Sequence, residues 1–261
     1  MAVEIDEYSL SSCLLCLMSN GKQIGTATGF AAIVDDRVFL ISNWHVFSGR
    51  NAHTGQPLNI SHAIPDAVRF NLHVREPFGA VIDCQVQLHD EDENAKWIMH
   101  PTGQEIDVAA IALPFLPKNI AAYSLPMLGQ TASMRVQVSQ DVYILGYPSG
   151  MSLNEMFPVW KRASIATEPG LDIAGKPFFL VDTASRPGMS GSPVIARSVG
   201  SYIDTSGNTG MGGVFTKFIG VYSGRMGAAS QDDAQLGVVW KAHVVDEVLK
   251  NGIHGSYSIR A

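Results

Sequence analysis

The segment Ser185-Arg186-Pro187-Gly188-Met189-Ser190-Gly191-Ser192-Pro193-Val194 sets one serine between glycines, behind a proline and ahead of an apolar run. Glycine admits backbone angles closed to other residues and proline fixes the approach, so the stretch turns sharply and presents its N–H groups to one spot. A serine hydroxyl is a weak nucleophile at neutral pH. It needs a base, and the base needs an orienting group. Upstream, His45 ends the apolar run Val38-Phe39-Leu40-Ile41 through Ser42-Asn43-Trp44, and Asp107 enters a second run, Val108-Ala109-Ala110-Ile111-Ala112-Leu113. Together the three types suit acyl transfer: the hydroxyl attacks a carbonyl, the imidazole moves the proton, and the carboxylate holds the imidazole. Taken singly, each has an ordinary reading as a turn serine, a core histidine and a turn-forming aspartate. The other histidines, His53, His62, His73, His89, His100, His243 and His254, lie in loops, mid-strand, in a helix or in the tail, and none sits at a strand exit as His45 does.

The elements that must position these groups read as short strands. Tyr8 to Met18, Gln23 to Val34 and Val38 to Asn43 form a meander, with Asn20-Gly21 as its first hairpin turn. Residues 48–63 are polar and read as a surface loop. Val68 to Val74 alternates as a half-buried strand does, and Ala80 to Leu88 alternates more loosely. Further strands are expected over Val136–Gly146, Val159–Thr167, Pro177–Thr183 and Phe215–Ser223, with Gly237–Trp240 closing the set. Residues 200–213 read as a glycine-, serine- and threonine-rich loop, and residues 227–233 as another. The clear helix is Trp240–Asn251, with Val244, Val245, Val248 and Leu249 as its apolar stripe and Gly252 as its stop. Many short strands, turn signals and one terminal helix make the chain all-β.

The blocks "SNWHV", "DVAAIAL" and "PGMSGSP" resemble the three signature blocks of trypsin/chymotrypsin-like serine proteases, in the chain order His, Asp, Ser. The likeness is closest to the disulfide-free peptidase domains of bacteria, where a block like Gly146-Tyr147-Pro148-Ser149-Gly150 recurs. The resemblance implies two six-stranded antiparallel β-barrels with a C-terminal helix. Residues 1–115 would form the first barrel, 116–135 a linker and 136–261 the second barrel with the helix. It implies His45, Asp107 and Ser190 as catalytic groups and the N–H groups of Gly188 and Ser190 as the oxyanion hole. Ala184, at the base of the primary pocket, with Ser185, Gly237 and Val239, would bind the substrate side chain. Ser223, Gly224 and Arg225 would pair with the substrate backbone. No carboxylate falls at those pocket positions, so an apolar or small residue is expected before the scissile bond. Met189 stands where the family's zymogen switch has an aspartate, so the expected restraint is instead an activating partner protein or effector ligand that orders the loops near Ser190. The alternative reading is a catalytically silent trypsin-fold module that binds peptides.

Composition sets the outer limits. The 261 residues are 46% hydrophobic and 16% charged, fitting a globular protein with a sizeable core. A net charge of −6 argues against nucleic acid as the main partner, and no apolar run approaches a membrane span. The acidic run at residues 89–94 reads as a solvated turn rather than a calcium site. Cys13, Cys16 and Cys84 are odd in number, and Cys13 and Cys16 point to opposite faces of a strand, so inert thiols and a cytoplasmic setting are expected. An α/β-hydrolase elbow would need glycine where Ser192 stands, and no H-E-x-x-H helix is present, so neither metal nor cofactor is expected. The expected partner is a protein or peptide substrate.

Overall fold

The computed structural model describes residues 5–75, 77, 79–114, 119–121, 123–124, 134–152, 157–184, 186–226 and 235–256. The meander expected from the sequence forms β1 (Ser12–Ser19), β2 (Lys22–Val34) and β3 (Arg37–Ser42), joined by tight turns at Asn20-Gly21 and Asp35-Asp36. After a one-turn helix α1 (Trp44–Ser48) come β4 (Ala67–His73), β5 (Val81–Gln87), β6 (Trp97–Met99), β7 (Ala109–Ala112) and the short β8 (Tyr123–Ser124). The second half gives β9 (Asp141–Gly146), β10 (Val159–Ile165), β11 (Phe178–Asp182), β12 (Pro193–Ile203), β13 (Thr209–Arg225) and β14 (Leu236–Lys241), then α2 (Ala242–Asn251) and β15 (Ile253–His254).

Strands β9 to β14 close a six-stranded barrel in the order β10-β11-β14-β13-β12-β9. The first unit is a sheet in the order β15-β6-β7-β3-β2-β1-β4-β5, with β8 beside β2. This is the double-barrel architecture expected from the sequence, but among the described residues the first unit has nine strands rather than six. The additions include the parallel β8 and the C-terminal β15, whose Ile253 pairs with Met99.

The unbroken apolar runs before His45 and after Asp107 reflect strands buried on both faces. In β2, Ala27 and Ala31 enter a core inside the first sheet, while Phe30 and Ala32 enter a core shared by the two units. In β7, Ala109 and Ile111 face inward and Ala110 faces the shared core. The second barrel has its own core, around Val142, Ile144, Phe179, Val194 and Val239. Helix α2 seals the shared core with Val244, Val245 and Val248, and Glu247 Oε2 lies 2.8 Å from His100 Nε2 of the first unit. Strands that bury alternate side chains in two different cores cannot shift register without sending each set into the core shaped for the other.

Residues 200–213 are not a loop. β12 and β13 continue past the barrel as one hairpin, paired from Val199↔Val214 to Ile203↔Thr209, with an irregularity at Gly200. The interspersed glycines and serines hid the strand-forming residues Val199, Tyr202, Ile203, Val214 and Phe215. The arm is solvent-bathed: Val199 is 75% and Met211 82% exposed. No described helix is long and apolar enough to cross a membrane.

Candidate functional site

The register of β3 and β7 brings His45 to Asp107. Ser42 pairs with Ala109, so the residues leaving β3 meet those entering β7. Asn43 donates its side-chain amide to the Asp107 carbonyl at 2.6 Å, and helix α1 then turns His45 back toward the carboxylate. Gly49, in the left-handed conformation, stops that helix by donating its N–H to the His45 carbonyl at 3.0 Å. The sequence carries the strand to Asn43 and on to His45 without signalling this helical turn.

The Asp107 carboxylate is gripped on both oxygens. Oδ1 accepts the His45 backbone N–H at 2.8 Å, and Oδ2 lies 2.7 Å from His45 Nδ1. Oδ2 also accepts the hydroxyl of Ser223. A carboxylate only accepts hydrogen bonds, so the imidazole proton sits on Nδ1 and the Nε2 lone pair is left free to take a proton. The His45 and Asp107 side chains are 21% and 11% exposed. Burial pushes the His45 pKa down, but the Asp107 charge and hydrogen bond together outweigh it, leaving the pKa above its ordinary 6.5. Because the folded value is raised, His45 adds stability that is complete below pH 6.5 and is lost as pH rises through the folded value.

Ser190 joins this group through Ser223. Its hydroxyl donates to the Ser223 carbonyl at 3.5 Å, and among the described residues it makes no hydrogen bond to His45. The turn around it is tied to both units. Thr28 of β2 donates its N–H to the Ser190 carbonyl and its hydroxyl to the Gly188 carbonyl, both at 2.8 Å. Gly191 donates to Tyr222 at 2.8 Å, Tyr222 donates to Ser192 at 2.9 Å, and Ser149 donates to Pro187 at 2.6 Å. Gly188 has φ +92°, and a β-carbon there would overlap the Tyr147 carbonyl. Gly191 has φ +84°, and a β-carbon there would overlap the Thr28 carbonyl oxygen and Ser42 Oγ. Among the described residues, the N–H groups of Gly188 and Ser190 donate to no protein acceptor. Gly191→Ala should therefore cost about 3 kcal/mol, seen as a lower urea midpoint at constant m. An unchanged midpoint would mean the turn does not sit against β2.

Of the other expected site residues, Gly224 lies beside Ser190: a β-carbon on it would come 4.0 Å from Ser190 Oγ. Arg225 is exposed and pairs with the buried Gly237. Val239 is fully buried in the second barrel's core, and Ala184 is exposed just past β11. Ser185 lies outside the described residues, as does the 227–233 segment. Sequence reasoning missed two hydroxyls, the Ser223 link to Asp107 and Thr28. The available signal for Thr28 was a polar residue in the otherwise small and apolar run Ala27-Thr28-Gly29-Phe30-Ala31, and it is fully buried.

Chemistry elsewhere is sparse. Cys13, Cys16 and Cys84 are free, and burial is the main cause raising all three thiols above their ordinary pKa, which suppresses the thiolate. A cavity of about 270 Å³ on the outer face of β1, β4 and β5 is lined by Cys16, Arg69, His73 and Asp83, among others, and includes neither His45 nor Ser190. No cluster of metal-ligating side chains occurs among the described residues.

A model of the trypsin-like peptidase domain family matches residues 27–203. The chain belongs to that family, within the trypsin/chymotrypsin-like serine-type endopeptidases, which are hydrolases. Among the solved structures that share its fold are two proteases. The active form of the Rv3671c protease from M. tuberculosis is 21% identical, with a TM-score of 0.50 over 95% of this chain and 84% of its own. A serine endoprotease from Yersinia pestis is 10% identical, with a TM-score of 0.53 over 95% of this chain and 67% of its own. No curated protein matches the chain in sequence.

Proposed function

We propose that the chain cleaves peptide bonds through an acyl-enzyme on Ser190, with His45 as general base and acid and Asp107 as its orienting group. The observation that carries this reading is the double grip of Asp107 on His45, at 2.7 Å to Nδ1 and 2.8 Å to the backbone N–H. In the first step Ser190 Oγ bonds to the substrate carbonyl carbon and its proton passes to His45 Nε2. The carbonyl becomes an oxyanion, which the Gly188 and Ser190 N–H groups receive. The C–N bond then breaks and His45 gives its proton to the leaving amine. Water repeats the sequence on the acyl-enzyme, releasing the acid and restoring Ser190. The oxyanion donors are each worth about 3 kcal/mol of transition-state stabilisation.

The base works only when neutral. Its raised pKa predicts that kcat/KM climbs with pH along an acid limb centred above 6.5. A pH–rate profile checks this, and a limb below 6.5 would separate His45 from the rate-limiting proton transfer. Control of the site by a bound partner or effector remains part of the proposal. Met189 is fully buried in apolar surroundings, which favours a restraint that does not use an amine paired beside the nucleophile.

The deciding experiment is labelling with a fluorophosphonate, which phosphorylates only an activated serine. Stoichiometric modification of Ser190, located by peptide mass spectrometry and lost in His45→Ala, supports the mechanism. A folded chain that resists the reagent at Ser190 would instead be the catalytically silent peptide-binding module.

A further inference from the structure

We propose that Tyr222 closes the floor of the pocket for the residue before the scissile bond, so that glycine, alanine and serine are accepted there and larger side chains are refused. This rests on the catalytic reading above and sharpens it to a substrate class.

The location follows from the strand edges. β13 pairs with β12 as far as Val221↔Pro193, while its other edge continues against β14 through Gly224↔Val238 and Arg225↔Gly237. Among the described residues no strand pairs with the first edge of residues 223–225, where the Ser223 carbonyl meets only the Ser190 hydroxyl, so an extended peptide can add there as a strand. The side chain next to the attacked carbonyl then enters the second barrel between the nucleophile turn and β14. That space would be deep if Gly237, which has no side chain, faced a void.

It does not. The β13–β14 ladder shifts register between Tyr222 and Gly224, and the side chains of Tyr222 and Ser223 part company there. Ser223 sends its hydroxyl to Asp107, and Tyr222 sends its ring the other way, into the second barrel. The ring covers Gly237 so closely that a β-carbon there would overlap Cε2 and stand 3.0 Å from the hydroxyl oxygen. Tyr222 is 0% exposed and belongs to the same apolar core as Met189 and Val239. Its backbone is held by hydrogen bonds with Gly191 and Ser192 on either side, which fixes the ring's origin relative to Ser190. The pocket expected from Ala184, Gly237 and Val239 is thus filled from within by a residue the sequence reading did not single out.

The test is a positional peptide library, with cleavage sites read by mass spectrometry, followed by kcat/KM on matched substrates carrying Gly, Ala, Val, Leu or Phe before the scissile bond. For the wild type we expect kcat/KM to fall at least tenfold from Ala to Leu and further to Phe. Tyr222→Ala should reverse that order, with a Leu-to-Ala ratio raised tenfold or more. A wild type that labels at Ser190 with a fluorophosphonate yet cleaves best after Leu or Phe overturns the pocket proposal alone. A wild type that does not label overturns the catalytic reading, and this one with it. Should Tyr222→Ala fail to fold, the wild-type size series decides by itself, since an open pocket predicts the opposite trend.

Discussion

Ser190→Ala should reduce peptide turnover by about 10⁶-fold without changing the urea midpoint. The Ser190 hydroxyl makes one long hydrogen bond, 3.5 Å to the Ser223 carbonyl, and the side chain is only part-buried, so its removal leaves little behind to destabilise. Its backbone contacts, to Thr28 among others, are untouched by the substitution. What remains should be acceleration of about 10³-fold over water from binding and the oxyanion donors. Steady-state kinetics on a protein purified free of other hydrolases gives the measurement. A loss below about a hundredfold would place the nucleophile elsewhere.

Asp107→Asn should lower kcat by about 10⁴-fold and move the acid limb of the pH–rate profile downward. The amide of asparagine can offer a donor where the carboxylate accepted from His45 Nδ1, which favours the imidazole tautomer whose Nε2 carries the proton and cannot take one from serine. The shift in pKa has a definite sign. Asp107 supplies both influences that raise the His45 pKa, and burial, which lowers it, persists in the variant. A variant with the same pH profile at lower rate would mean that Asp107 acts by geometry alone. A Ser223→Ala companion tests the third contact on the carboxylate, which Ser223 reaches from the other barrel.

The catalytic candidates were legible because each is announced by its own neighbours. Gly188 and Gly191 are required by a turn that runs against Tyr147 and Thr28, and the apolar runs beside His45 and Asp107 are required by strands buried on both faces. What the sequence concealed was non-local. The Ser223 hydroxyl meets Asp107 across the two units, and Thr28 reaches the nucleophile turn from β2. Neither pairing leaves a spacing to read. The hairpin arm was hidden for a different reason: Gly200, Gly207, Gly210, Gly212 and Gly213 dilute its alternation, yet four of them accompany the ladder irregularity or the turn rather than ending the strands. Tyr222 was invisible in its own way, since an aromatic residue in a buried strand reads as ordinary core until its ring is seen to lie over Gly237.

The C-terminal strand carries a consequence for the order of events during synthesis. Ile253 and His254 complete the first sheet beside Met99 and Ile98, and α2 just before them seals the core that the two units share. A ribosome delivers β1 to β7 early, with His45 and Asp107 already in the chain, but this edge of β6 stays open until β15 emerges. By then Ser190 and Ser223 have been made as well. The nascent chain thus passes through a long interval in which its earlier half is unfinished and has neither nucleophile nor closing strand, and the last contacts to form are those that bind one half to the other. Folding and competence for chemistry should therefore arrive together, once α2 and β15 have been made, rather than half by half.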